Sequence, residues 1–262
     1  QPLAVIEAKK SGNTNLQAGR EQARLYADAF ERMGFQRPII FYSNGYETFI
    51  WDDHQYNTYR PVYGFYSKDS LDYLIYQRHY RAAELEKFNP ELSIADRPYQ
   101  IEAIKTVAAN FQNQRRKALI IQATGTGKTR TAASIIDVLS KANWAKKILF
   151  LADRTALVTQ AKNNLNDLLP NLPSVDLREE KEDLGSRIVF STYQTLINLI
   201  DNEKDGEKRA YGVGHFDVVI FDEIHRSIYN KYKAIFNYFD GIKIGLTATP
   251  IDFESEKNTY EL

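Results

Sequence analysis

Cysteine is absent from the 262 residues, which excludes disulfides and thiolate zinc sites and points to a reducing, cytoplasmic setting. No apolar run reaches the length of a bilayer span, so no membrane partner is expected. Net charge is absent too: 34 basic residues balance 34 acidic ones, and any nucleic-acid contact must be a local groove rather than a polycationic body. There is no internal repeat, no low-complexity tract and no charged-then-apolar leader. The first residues are Gln-Pro, and the chain reads as an internal piece of a soluble protein. None of the four histidines has metal-ligand spacing. What remains is an ordinary globular balance, 43% hydrophobic and 26% charged, long enough for one large domain or two ordinary ones.

Two textures divide the chain. Residues 1–88 are rich in tyrosine and short apolar runs. "LAVIEA" suggests a strand, "LQAGREQARLYADAFERM" a helix, and "RPIIFYSNGYETFIWDD" a hairpin around Asn44-Gly45. A helix is expected over Lys68–Phe88. Pro90 and Pro98 bracket a connector, residues 89–97. From residue 98 to 262, apolar strands such as "ALIIQ", "KILFLAD", "RIVFS", "FDVVIFDE" and "IKIGLTA" alternate with helical stretches. That rhythm predicts an α/β fold with a parallel sheet flanked by helices, and ligands in such sheets bind at the carboxyl ends of strands. The tyrosines at 42, 46, 56, 59, 63, 66, 73, 76 and 80 are read as packing rather than as base-stacking platforms. Gln114–Lys117 reads as a solvated helix end, and Glu179–Asp183 as a solvated loop.

"QATGTGKT", Gln122–Thr129, follows a strand and opens a helix. Glycines at 125 and 127, with Thr126 between them, allow backbone N–H groups to converge on phosphate oxygens at a helix N-terminus. Lys128 can reach the β- and γ-phosphates of ATP, and Thr129 can offer its hydroxyl to Mg²⁺. The usual pattern has a glycine where this chain has Gln122. In "VVIFDEIH", Asp222 can hold the magnesium shell and Glu223 can polarise the attacking water; His225 is placed to sense the nucleotide.

"QATGTGKT", "DEIH" and "GLTATP", in that order, resemble the first RecA-like motor lobe of superfamily 2 helicases and translocases, over about residues 97–250. The resemblance implies that Gln100 reads the adenine edge with help from Arg97. It implies that Arg154, Ser191 and Thr192 touch a nucleic-acid backbone, and that Thr247 and Thr249 couple the two sites. Members of this group carry a second lobe whose arginines complete the ATP site, so these residues alone are expected to bind nucleotide and hydrolyse it poorly.

In "AVIEAKK", Glu7 and Lys9 share one face of a predicted strand. A carboxylate beside an ammonium can bind a divalent metal and orient a water for phosphodiester cleavage, although such a pair is often only a surface ion pair. Gln22 and Tyr26 stand four apart on the following helix. A strand with Glu-x-Lys followed by a helix with Gln-x-x-x-Tyr resembles the PD-(D/E)xK nucleases. With the motor downstream, the whole is similar to the motor-and-restriction subunit of type I restriction-modification enzymes. That resemblance implies a smaller α/β nuclease-type domain before the motor, with Glu7 as metal ligand. It also implies translocation on double-stranded DNA and partner subunits for specificity and methylation. A repair or RNA helicase without nuclease activity, and a non-hydrolysing ATP-dependent DNA clamp, remain alternatives.

Overall fold

The computed structural model describes residues 1–10, 16–201, 211–223 and 233–249. These divide into two compact units. One comprises residues 1–81 with 212–215 and 237–240; the other comprises 82–211, 216–236 and 241–262. The change of unit falls at Arg81, ahead of the Phe88 boundary read from sequence.

The first unit is a four-stranded sheet in the order β1-β2-β3-β4. Its strands are β1 (Ala4–Ala8), β2 (Ile39–Ser43), β3 (Thr48–Trp51) and β4 (Arg60–Val62). β1 and β2 are parallel, joined through helix α1 (Leu16–Arg32); the other pairs are antiparallel. All five residues of β2 are buried, because the strand is apolar toward both faces. Ile40 packs with Ala23 and Ala27 of α1, whereas Ile39 and Phe41 pack with Ile50 and with Ile75 of helix α2 (Lys68–Tyr80). The expected hairpin is present. Gly45 takes φ +87°, and the Asn44 side-chain oxygen accepts from the N–H groups of Tyr46 and Glu47, which closes the turn.

The helix expected over 68–88 stops at Tyr80, and only a single 3₁₀ turn, Leu85–Lys87, follows. The reason is tertiary. Ala82 N–H donates to Ala142 O at 2.9 Å, and its carbonyl accepts from the Trp144 indole at 2.9 Å, so its backbone is not available for helix continuation. The tyrosines divide. Tyr42 is buried and stacks on Phe49 at 5.0 Å, and Tyr80, although exposed, stacks on Tyr76 at 4.4 Å, while Tyr46 is 82% exposed, so the packing role does not extend to all nine.

The second unit is a six-stranded, all-parallel sheet in the order β5-β10-β9-β6-β8-β7. The strands are β5 (Lys117–Ile121), β6 (Ile148–Ala152), β7 (Ser174–Asp176), β8 (Ile188–Thr192), β9 (Val218–Asp222) and β10 (Ile242–Thr247). The helices are α3 (Pro98–Gln112), α4 (Lys128–Lys141), α5 (Thr155–Leu168), α6 (Tyr193–Asp201) and the first four residues of α7 (Lys233–Tyr238), whose last two belong to the first unit. β6 and β8 are buried at every position, as strands covered on both faces must be. Phe150, Phe190, Ile220 and Ile244 share one core with α3, α4 and α5.

Two loop readings change. Lys117 is the first residue of β5, after a left-handed Gln114 (φ +64°) has turned the chain out of α3. Glu182 is tied to the Lys147 ammonium, its side chain only 8% exposed, so it is not a solvated loop residue. The strand order has a direct consequence for chemistry. β9 and β10 lie between β5 and β6, so the segments leaving the carboxyl ends of β5, β10 and β9 are neighbours.

Candidate nucleotide and nuclease sites

The segment after β5 turns tightly into α4. Gly125 and Gly127 have φ of +81° and +90°, values that a side chain would strain. Thr126 closes the turn through its hydroxyl, which donates to Ala123 O at 2.6 Å. The loop is held from α3. The Gln100 amide donates to Thr126 O at 3.0 Å and Gly127 O at 3.4 Å, and its oxygen accepts from Arg97 N–H. A Cβ on Gly127 would lie 2.5 Å from the Gln100 amide nitrogen. The glycine therefore serves close approach as well as backbone freedom. Gln100 is buried, and it braces the loop backbone here. Tyr99, which the sequence reading passed over, adds a second brace: it donates to Thr126 O at 2.8 Å and accepts from Arg97 at 2.7 Å.

Gln122, at the position usually held by glycine, is also buried. Its N–H donates to Thr247 O at 2.9 Å, and its side-chain oxygen accepts from the fully buried Thr131 hydroxyl at 3.1 Å. This residue joins the start of the loop both to α4 and to the end of β10. Only its departure from the usual glycine marked it in the sequence.

Lys128, the first residue of α4, donates to Glu223 Oε1 at 3.0 Å across a sequence separation of 95. Their side chains are 14% and 22% exposed. Glu223 has φ +52°, a left-handed conformation that costs a non-glycine residue about 1–2 kcal/mol. Asp222 ends β9, and its carboxyl is pushed up to about 6, first by burial and then by the adjacent Glu223 charge, against the pull of Lys128. A half-buried carboxyl pair served by one lysine is short of positive charge. With Thr129 at the second position of α4, the donor set fits magnesium, which takes one or two protein oxygens and fills its shell with phosphate and water.

The remaining expected residues separate. Arg154 is exposed at the N-cap of α5 and open to a ligand. Ser191 is fully buried within β8 and donates to Thr192 O, so its side chain is shut away from any nucleic-acid backbone. Thr192 instead caps α6, accepting from Thr195 N–H at 3.2 Å. Thr247 is buried, and its hydroxyl pairs with the backbone of Thr249. His225 lies outside the described residues.

In the first unit four expected residues meet. Lys9 Nζ lies 2.8 Å from Glu7 and donates to Gln22 Oε1 at 2.7 Å; the Gln22 amide donates to Tyr26 OH at 2.6 Å. Gly19 permits this convergence, since a Cβ there would press on Lys9 Cγ at 3.3 Å. No group of three or more His, Asp or Glu able to hold a metal occurs among the described residues. Glu7 is the one carboxylate among these four residues, and the Lys9 ammonium engages it; as a metal ligand it would need a second carboxylate that the described residues do not bring to it.

Fold and site together define a helicase-like α/β lobe that carries a phosphate-binding loop opposed by an acidic strand end. The chain belongs to the family described as "Type III restriction enzyme, res subunit", whose model matches residues 93–252. It is 31% identical over its whole length to the type I restriction enzyme EcoAI endonuclease subunit of Escherichia coli, and spans 32% of that protein. It is 30% identical to the EcoKI endonuclease subunit of Escherichia coli strain K12, over 62% of this chain and 16% of that one. The crystal structure of the Pyrococcus furiosus Hef helicase domain matches 64% of this chain and 36% of its own, at 25% identity and a TM-score of 0.49. No helix among the described residues is long and apolar enough to cross a membrane.

Proposed function

We propose that the chain is the nuclease-and-first-motor part of a type I restriction enzyme endonuclease subunit. In this reading ATP binds at residues 122–129 and is hydrolysed to move double-stranded DNA. The Glu7–Lys9 cluster belongs to the cutting site, and partner subunits supply sequence specificity and methylation. The observation that carries the ATP reading is the 3.0 Å contact between Lys128 and Glu223. A lysine held by a carboxylate before ligand arrives is poised to exchange that partner for the β- and γ-phosphates. Release of the lysine frees Glu223 to accept a proton from the attacking water. Magnesium, when bound beside Asp222 and Thr129, would neutralise phosphate charge. Gln100 and Tyr99 keep the loop backbone fixed, so that its N–H groups converge on phosphate without further ordering.

In the first unit, Lys9 offers a cation to a phosphodiester. Gln22 and Tyr26 set the position of that ammonium through the chain of hydrogen bonds from α1 to β1. The similarity to EcoAI spans this unit as well as the motor, which supports its assignment to the same enzyme.

The ATP reading is tested by titrating a fluorescent ATP analogue. Lys128→Ala should weaken binding at least tenfold, whereas Glu223→Gln should bind at least as tightly as the parent, because the lysine loses its competing carboxylate. In the intact restriction complex Glu223→Gln should retain ATP without turnover. Binding unaffected by Lys128→Ala would remove the assignment.

A further inference from the structure

The six-stranded sheet ends on β5, whose outer side borders no described strand. Lys243 N–H donates to Arg116 O, and Gln122 N–H donates to Thr247 O. In a parallel ladder alternate residues serve one neighbour. Ala118 and Ile120 therefore bond toward β10, and the N–H and C=O groups of Lys117, Leu119 and Ile121 face the open side. A cavity of about 660 Å³ runs along this edge. Its opposite wall is one face of α3, formed by Tyr99, Ala103, Thr106 and Asn110 at helical spacing. Ile121 and Tyr99 are 45% and 41% exposed.

Charge along the groove is ordered. Arg115 and Lys117 line it where β5 begins; both are exposed, and neither has a carboxylate partner among the described residues. The Lys117 ammonium lies 5.0 Å from the Phe236 ring centroid. Glu102 is the one acidic residue in the lining. It lies ten residues before the end of α3, about 15 Å along the helix from the cationic end.

We infer that the open edge of β5 accepts an extended strand from a partner protein, with a carboxylate beside Arg115 and Lys117 and a cation beside Glu102. Three outward-facing residues, repeating every two positions at about 6.6 Å, present a donor and acceptor pattern that another backbone matches in register. Ala103, Val107 and Leu119 supply apolar surface for alternate side chains of that strand. A lone edge lysine is a common guard against strand pairing. Here a second cation, a countercharge at the other end and a helical wall build a groove with a polarity.

The test uses the 262-residue chain and two labelled eight-residue peptides of alternating valine and threonine. Each carries two glutamates at one terminus and a lysine at the other, in opposite orders. One order should bind and slow amide exchange at Leu119 and Ile121 at least tenfold. Arg115→Gln with Lys117→Gln should weaken that binding tenfold, and a thermal melt matching the parent shows that the fold is kept. Glu102→Lys should weaken it too. Three results would overturn the inference: no protection at Leu119 and Ile121, binding indifferent to these substitutions, or amides already protected without peptide, which means that the edge is covered within the chain.

Discussion

Asp222 shows how one residue links stability to ligand binding. Its folded carboxyl titrates near 6, above the ordinary aspartate value of 3.8, chiefly because it is buried. A raised carboxyl means that the folded chain binds the proton more tightly than the unfolded chain does. Stability from this group is therefore fullest below about 3.8 and falls as pH rises through about 6. Asp222→Asn removes the cost of a buried charge. It should raise stability at pH 8 by on the order of 1–3 kcal/mol and by about a third of that at pH 4.5, where the folded carboxyl keeps its proton. Urea melts at the two pH values measure this, and an equal effect at both would refute the account. If Asp222 holds magnesium as proposed, the same substitution should also weaken magnesium-dependent nucleotide binding, because it removes the charge that would receive the ion.

At the scale of elements, the loop between β5 and α4 depends on its two glycines in different ways. Gly125 has nothing within 4 Å of an added Cβ, so Gly125→Ala meets only the left-handed backbone penalty, about 1 kcal/mol. Gly127→Ala adds a collision with the Gln100 amide and should cost about 2–4 kcal/mol. In a Gln100→Ala background the difference between the two glycine variants should shrink to within about 0.5 kcal/mol. Chemical denaturation of the six proteins reads it, and a difference that persists places the strain elsewhere. Much of this element was legible in the sequence. The glycines, lysine and threonine of "QATGTGKT" announce a phosphate loop because backbone geometry there permits few residue types. The parallel sheet was legible from apolar runs alternating with helical periods, and the hairpin from Asn44-Gly45. Features set by contacts distant in sequence were not. Nothing local says that Ala82 is claimed by Ala142 and Trp144, which ends α2 early. Nor does any pattern say that Tyr99 hangs on Thr126 O, or that Ser191 points inward from a strand buried on both faces.

For the whole molecule, the proposed function places separable steps on separate residues of the two units. Within the first unit, Lys9 is held by Glu7 and by Gln22, and Tyr26 completes the chain of bonds. Every one of these partners lies in the segment before Arg81, and none is shared with the phosphate loop. If the first unit cuts and the second drives, damage to this cluster should leave the motor running. Lys9→Ala in the intact restriction complex should lower DNA cleavage at least a hundredfold while changing DNA-stimulated ATP turnover less than twofold. Gln22→Ala acts only by positioning the ammonium, so it should lower cleavage less, and Lys9→Arg should restore part of it because a cation remains. Lys128→Ala should abolish both activities, since cutting in this reading follows movement along DNA. The ordering of these four variants matters more than any single value. Loss of ATP turnover in Lys9→Ala would join the two sites into one machine, and full cleavage in the same variant would reduce Glu7–Lys9 to an ion pair that holds β1 against α1.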